Sequence, residues 1–394
     1  MAETYYKGMF HGTIPTVTTD PNSLEAEAKK YLSSRSYAYV AGGAGERATM
    51  DANRSAFRAW KIVPRMLRDT QPQDLSTTVF GVKYPHPLFI SPVGVQQIFH
   101  DDKETGMAQI AAELEVPYIM STASTSSIEE VAQASGNGPR WYQLYWPQDE
   151  EITASILGRA KKNGFTALVV TLDTFSLSWR PWDLDSGYLP FLKGQGNQVP
   201  FSDPAFRAKV KKLTGKEVEE DTLAAYAIWA KETFTMGGHT WDDLAVLRKH
   251  WDGPIALKGI QCVEDAELAV KYGMQGIVVS NHGGRQVDGA VGSLEVLPEI
   301  VEAVGDKIDV LFDSGVRTGA DVVKALCLGA KGVCIGRPWV YGLGIRGKEG
   351  AKEVLKYILA DFDQTMGLSG IGSVKNCDKT WLRRSTAPTQ ASSN

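Results

Sequence analysis

The chain has 394 residues, of which 43% are hydrophobic and 22% charged, with a formal net charge of −4. That length suits a single α/β barrel carrying insertions. The acidic balance gives no support for nucleic-acid binding, which leaves a basic stripe or patch, and no run of about 18 apolar residues predicts a membrane span. The start, MAETYYKGMFHGTIP, lacks the charged-then-apolar pattern of a signal peptide, and the final Ser-Ser-Asn is not a peroxisomal address. A cytoplasmic location is expected. The four cysteines, Cys262, Cys327, Cys334 and Cys377, fall in no metal-ligand spacing and read as free thiols; no metal is expected.

Residues 1–80 read as an N-terminal helical extension, with a helix over Ser23–Ser33 and a turn at Tyr39–Gly43. Next, short apolar runs alternate with helical patterns. Strands are predicted at 87–92, 117–121, 141–145 and 167–173, each followed by a helix: 104–115, 127–134, 150–163, and one entering at Trp241 with Thr240 as its N-cap. The rhythm resumes at 254–258, 276–280, 309–313 and 332–336, with helices at 263–272, 294–304 and 319–328. Eight βα units predict a closed (β/α)8, or TIM, barrel over 81–375. A doubly wound sheet is the alternative, weakened by the absence of GxGxxG after the first strand. Residues 181–245 form a long insertion between strands four and five: proline- and glycine-rich at 181–204, helical at 205–231, closing at Gly237-Gly238. Loops of that length inside a compact domain are usually lids or disordered segments. Residues 376–394 read as a tail.

Polar residues gather at the predicted C-terminal strand ends, where barrel enzymes build their sites. They are Gln143 and Tyr145, Thr171 and Asp173, Lys258, Ser280 and His282, then Asp313. Taken singly, Lys258 could be a solvated rim lysine, His282 a structural histidine, and Thr171 and Asp173 strand caps. Together at one rim they need a ligand or one another. A second signal is Asp313-Ser314-Gly315-Val316-Arg317 after strand seven and Gly336-Arg337-Pro338 after strand eight. Glycine turns with arginines in this position predict a phosphate-bearing ligand.

The segments SNHGGRQ (280–286), FDSGVRTGADVVKALCLGA (312–330) and IGRP (335–338) resemble those of the FMN-dependent α-hydroxy acid oxidases, over about Ser36 to Ser373. That family includes glycolate oxidase, lactate oxidase and lactate monooxygenase. The resemblance implies FMN with its ring against Pro92, Val93 and Gly94, and its polar edge bonded by Ser121, Gln143, Thr171 and Lys258. Ser280 would belong to the same cofactor site. The phosphate would sit among Asp313, Ser314, Gly315, Arg317, Gly336 and Arg337. Arg180 and Arg285 would hold the substrate carboxylate, Tyr39 and Tyr145 would supply hydroxyls, and His282 would act as base, steadied by Asp173. The partners so implied are a small 2-hydroxy acid and O2, in a homo-oligomer of four or more chains.

Ala123 stands where glycolate oxidases carry tryptophan, which favours lactate or a larger substrate over glycolate. The insertion (WRPWDL, PFLKG, SDPAF) is similar to lactate monooxygenase, which converts lactate to acetate, CO2 and water; a closing lid would slow keto-acid release. The expected function is therefore lactate 2-monooxygenase-type oxidation, with a lactate oxidase releasing keto acid and peroxide as the alternative. A barrel binding FMN without turnover is the third reading. Insertion residues could also serve subunit contacts.

Overall fold

The computed structural model describes residues 2–385. Eight parallel strands close into a barrel in chain order, β8 pairing back onto β1: β1 (Leu88–Ile90), β2 (Tyr118–Ser121), β3 (Arg140–Leu144), β4 (Leu168–Thr171), β5 (Ile255–Ile260), β6 (Gly276–Val279), β7 (Asp309–Phe312) and β8 (Gly332–Ile335). Nearly every strand residue is buried, as required where helices cover one face and barrel core fills the other. The covering helices are α1 (Lys103–Glu113), α2 (Ile128–Ser135), α3 (Glu150–Lys162), α4 (Leu244–His250), α5 (Val263–Lys271), α6 (Ser293–Val304), α7 (Gly319–Cys327) and α8 (Arg337–Ser369). Their starts follow local chemistry: Ser127 and Glu130 form a capping box on α2, and Asp149 and Thr318 cap α3 and α7. Helix α8 bends at Arg346 and Gly347, whose backbones are non-helical.

The barrel interior is plugged at its N-terminal end. Phe89, Ile119, Trp141, Val169, Val278 and Leu311 pack with Val79 and Tyr84, which come from a hairpin of Thr77–Val79 and Val82–Tyr84. The hairpin turn is pinned there by the Phe80 N–H donating 2.6 Å to Asp309, the first residue of β7. A ligand can therefore enter only from the opposite, C-terminal rim.

The extension differs from the expected Ser23–Ser33 helix. A short helix, Leu24–Ala28, ends early, because the Ser33 side chain accepts the Ser36 N–H at 3.1 Å and starts a new helix, Ser34–Ala41. Tyr39, Val40 and Ala41 are thus helical rather than in a turn, which begins only at Gly42. A further helix, Ala48–Ala59, leads into a strand, Trp60–Ile62, that pairs antiparallel with Leu382–Arg384. The boundary expected at residue 80 falls inside the hairpin turn, and the expected tail returns to the extension as far as it is described.

The insertion is built of short helices, Pro181–Asp185, Gln198–Phe201, Pro204–Thr214 and Thr222–Thr233, with a 3-10 turn at Pro190–Lys193. The helical stretch expected at 205–231 is broken by Gly215, left-handed at φ 74°. Thr240 is not the cap of α4. That helix begins at Leu244 after Asp243, and Thr240 instead donates its N–H and hydroxyl to the Asp243 carboxylate.

No helix of the described residues is long and apolar enough to cross a membrane. Helix α7 packs closely on α8, where a Cβ on Gly319 would stand 2.0 Å from the Phe362 nitrogen. Gly319→Ala is expected to destabilise the barrel by about 3 kcal/mol through overpacking, read as a lower urea midpoint.

Candidate active site

The strand ends and the insertion line one cleft at the C-terminal rim. Its floor and one end are Pro92, Val93, Gly94, Ser314, Gly315, Arg317, Gly336 and Arg337, and its other end holds Tyr39, Ala123, Tyr145, Arg180, His282 and Arg285. Lys258 and Asp313 lie between. Ser121, Gln143, Thr171, Asp173 and Ser280 stand behind this surface and support it through hydrogen bonds.

The SNHGGRQ segment turns sharply because His282, Gly283 and Gly284 all take left-handed backbones, at φ 57°, 66° and 72°. For a histidine that conformation costs about 1–2 kcal/mol, so neighbours must hold it. The His282 N–H donates to Ser280 Oγ at 3.1 Å, the Gly283 N–H to Ser314 Oγ at 3.0 Å, and the Gly284 N–H to Asn281 Oδ1 at 3.1 Å. Asn281 is itself locked to Asn53 of the extension by two reciprocal amide bonds of 2.9 and 2.7 Å.

His282 Nδ1 lies 2.7 Å from Asp173 Oδ1 and 3.1 Å from Thr174 Oγ1, and the Thr174 hydroxyl donates to the same carboxylate oxygen at 2.7 Å. Burial alone would raise the Asp173 pKa, but His282 and Lys258 hold it down at about 2. An ionised carboxylate only accepts, so Nδ1 carries the proton and Nε2 keeps a lone pair. Burial also pushes the His282 pKa below its usual value; Asp173 opposes this, and the Lys258 and Arg180 charges add to it. The imidazole is thus neutral and basic at neutral pH.

Lys258 Nζ sits 3.2 Å from Asp313 Oδ2 and donates to Ser280 Oγ at 3.0 Å. Burial works against its charge, but Asp313 and Asp173 outweigh that and raise its pKa, so it stays an ammonium. Ser121, Gln143 and Thr171 form a row: Ser121 Oγ donates to Gln143 Oε1 at 3.0 Å, and Gln143 Nε2 to Thr171 Oγ1 at 2.9 Å.

Arg180 and Arg285 converge without a carboxylate hydrogen-bonded between them. Burial, and after it the Arg285 charge, lowers the Arg180 pKa to about 10. Arg180 is held by the Arg285 carbonyl at 3.0 Å and the Gln286 amide at 2.6 Å; Arg285 donates to the Tyr39 carbonyl and stacks 5.0 Å from the Tyr39 ring centroid. Two partly desolvated cations side by side favour an anion. Burial, with help from Asp173 and Tyr39, pushes the Tyr145 pKa up to about 12, so its hydroxyl remains a donor.

The far end fits a phosphate-bearing cofactor. Ser314 and Gly315 are both left-handed, at φ 87° and 83°, turning the loop before α7. A Cβ on Gly336 would meet only Ser91, at 3.9 Å, so a side chain there would stand in the cleft. Gly94 is packed so closely under Ala123 that its Cβ would lie 2.5 Å from the Ala123 oxygen; the floor must be bare backbone. Arg337 differs from expectation: its guanidinium donates to the carbonyls of Val40, Gly42 and Gly283 at 2.8–2.9 Å. It ties the extension to the SNHGGRQ turn, and could meet a phosphate only with what those bonds leave. Thr174, Leu177 and the insertion's Phe191 and Phe234, which line the cleft, are not foreseen from sequence, nor is Asn53, which locks Asn281. Among the described residues no cluster of metal-ligating side chains occurs.

A closed barrel that gathers His282 paired with Asp173, two arginines and left-handed glycine loops at its C-terminal rim is suited to an oxidoreductase that holds a phosphate-bearing flavin. The chain belongs to the FMN-dependent dehydrogenase family, whose pattern matches residues 28–384, and FMN is its cofactor. It is 58% identical over 384 residues to the FMN-dependent alpha-hydroxy acid dehydrogenase qulF of Penicillium citrinum, covering 98% of this chain and 95% of that one. It is 39% identical over 352 residues to the L-lactate oxidase of Lysinibacillus sphaericus, covering 89% of each. The crystal structure of mandelate oxidase superposes with a TM-score of 0.80 at 35% identity, covering 93% of this chain and 98% of that one. The protein is an FMN-dependent α-hydroxy acid oxidoreductase.

With His282 as the base, its depressed pKa predicts an acid limb of kcat/KM below pH 6.5, the usual imidazole value: the neutral imidazole is available above its own pKa and lost as pH falls through it. Asp173→Asn removes the charge that raises that pKa, so the limb should move to still lower pH. The same change should lower kcat about 10²–10⁴-fold, because the Nδ1–H is no longer fixed. A pH–rate profile of both enzymes checks the pair; a limb that moved up would contradict the assignment.

Proposed function

We propose that the protein oxidises a short L-2-hydroxy acid, with L-lactate as the reference substrate, and uses O2 as the terminal acceptor. The observation that carries this reading is the 2.7 Å pair of His282 Nδ1 and Asp173, set beside the Arg180 and Arg285 cations. Arg180 and Arg285 bind the substrate carboxylate, since forked guanidinium donors match its two oxygens. Tyr39 and Tyr145 orient the substrate from the same end. His282 Nε2 takes a proton from the substrate, and Asp173 stabilises the imidazolium that results. FMN supplies the two-electron acceptor that O2 regenerates, and Lys258 offers a fixed positive charge close to the floor on which its ring would lie.

We further propose that the insertion retains the keto acid long enough for peroxide to decarboxylate it. Pyruvate and hydrogen peroxide then give acetate, CO2 and water, the lactate 2-monooxygenase outcome. Its support is that Phe191 and Phe234 from the insertion, with Arg180 just before it, wall the cleft. Release of pyruvate and peroxide is the second reading, favoured by the named activity of the L-lactate oxidase relative. On the family resemblance we place the enzyme in the cytoplasm as a homo-oligomer of four or more chains.

L-lactate should bleach the bound flavin under anaerobic conditions, and His282→Ala should slow that bleaching by at least about 10³-fold, at or above the middle of the usual range for loss of a general base. In air, acetate and CO2 in place of pyruvate would support retention. Stoichiometric pyruvate and peroxide would leave the oxidase reading standing.

A further inference from the structure

Ala123 leaves little side chain on the substrate end of the cleft, and the small residue by itself suggests room for a bulky substrate. The space is bounded from another direction. Phe191, from the 3-10 turn Pro190–Lys193 of the insertion, reaches back to line the same cleft while only 7% exposed. It forms a buried cluster with Val95 and Tyr226, and Ala123 and Tyr39 pack against that cluster.

The ring is held rather than loosely draped. It stacks on Tyr226 with centroids 6.3 Å apart and planes 7° from parallel. Its carbonyl accepts the Asn197 amide at 2.9 Å and the Gly194 N–H at 3.0 Å. Gly196, left-handed at φ 79°, comes so close that a Cβ there would lie 2.6 Å from Val95 and 2.8 Å from the Phe191 ring. The chain therefore uses a glycine to let the insertion seat against β1's following loop, with the Phe191 ring at the seam.

We infer that Phe191 is a specificity-determining residue: it closes from the insertion the space that Ala123 leaves open from the barrel, and limits the substrate side chain to a few carbons. The inference rests on the 2-hydroxy acid reading above and names the substrate class within it. A pinned aromatic ring rejects a long chain by overlap, whereas its removal leaves a cavity that extra methylenes can fill.

The test compares wild-type holoenzyme with Phe191→Ala and Phe191→Leu, using L-lactate and L-2-hydroxyoctanoate. Anaerobic flavin bleaching gives the rate and affinity for each substrate. Pyruvate and 2-oxooctanoate, titrated against the oxidised flavin's absorbance, give affinities without turnover. Wild type should prefer lactate by at least about tenfold; in Phe191→Ala that preference should fall at least about tenfold, with Phe191→Leu in between. The ratio separates specificity from damage, since a merely structural loss lowers both substrates together. Equal use of both acids by wild type, or a preference unchanged in the variants, overturns the role of Phe191. If Phe191→Ala does not fold, the shift in Phe191→Leu decides. Failure of every hydroxy acid to bleach the wild-type flavin would sink the functional reading and this inference with it, whereas a failed ratio with bleaching intact sinks this inference alone.

Discussion

The buried ammonium of Lys258 is the charge around which the rim is organised. Its Nζ lies 3.2 Å from Asp313 and 3.0 Å from Ser280, and its field helps hold Asp173 ionised. Three strands and the loop after a fourth are joined through this one group: β5 carries it, Ser280 follows β6, Asp313 follows β7, and Asp173 lies beyond β4. A charge taken out of water this completely survives only with partners, so the acidic residues at those positions are as much a condition of the fold as of the chemistry. The same ammonium lowers the His282 pKa. Keeping the rim together and keeping the imidazole neutral are thus one electrostatic arrangement.

The N-terminal extension takes a direct part in the site. The carbonyls of Tyr39, Val40 and Gly42 accept from Arg285 and Arg337, and the Ala44 N–H donates to the Gly284 carbonyl at 3.0 Å. Asn53 locks Asn281 from the same side. The turn that carries His282 is left-handed for three residues, and the extension adds the Ala44 and Asn53 bonds to the local ones that hold it. Strain of this kind persists where surrounding structure over-determines it.

The barrel is legible in the sequence because each strand is a short apolar run and each is followed by a helical period. The rim residues are legible as a group because so many polar groups at one set of strand ends need a ligand or one another, though each alone has another reading. What sequence leaves hidden depends on long-range neighbours. The Ser23–Ser33 stretch looks like one helix, and only the Ser33-to-Ser36 bond shows where a second begins. Arg337 reads as a phosphate ligand, yet two of its three carbonyl partners, Val40 and Gly42, lie nearly three hundred residues away, a partnership no local pattern announces. Thr174 is an ordinary threonine until the fold sets it 3.1 Å from His282. Phe191 and Phe234 lie in a segment with no period to read, and a fluctuating coil and a packed wall share that appearance.

The pairing of Trp60–Ile62 with Leu382–Arg384 bears on how the molecule is made. During synthesis N-terminal segments leave the ribosome first and begin to fold before the rest. Here the strand that edges the extension waits for a partner more than three hundred residues downstream. Until residue 384 has emerged, Trp60 and Ile62 have no ladder to join and their backbone groups stay with water. The barrel strands, which end at Ile335, can pair before that point, but the Trp60–Ile62 edge can be stapled down only once Leu382–Arg384 has been made.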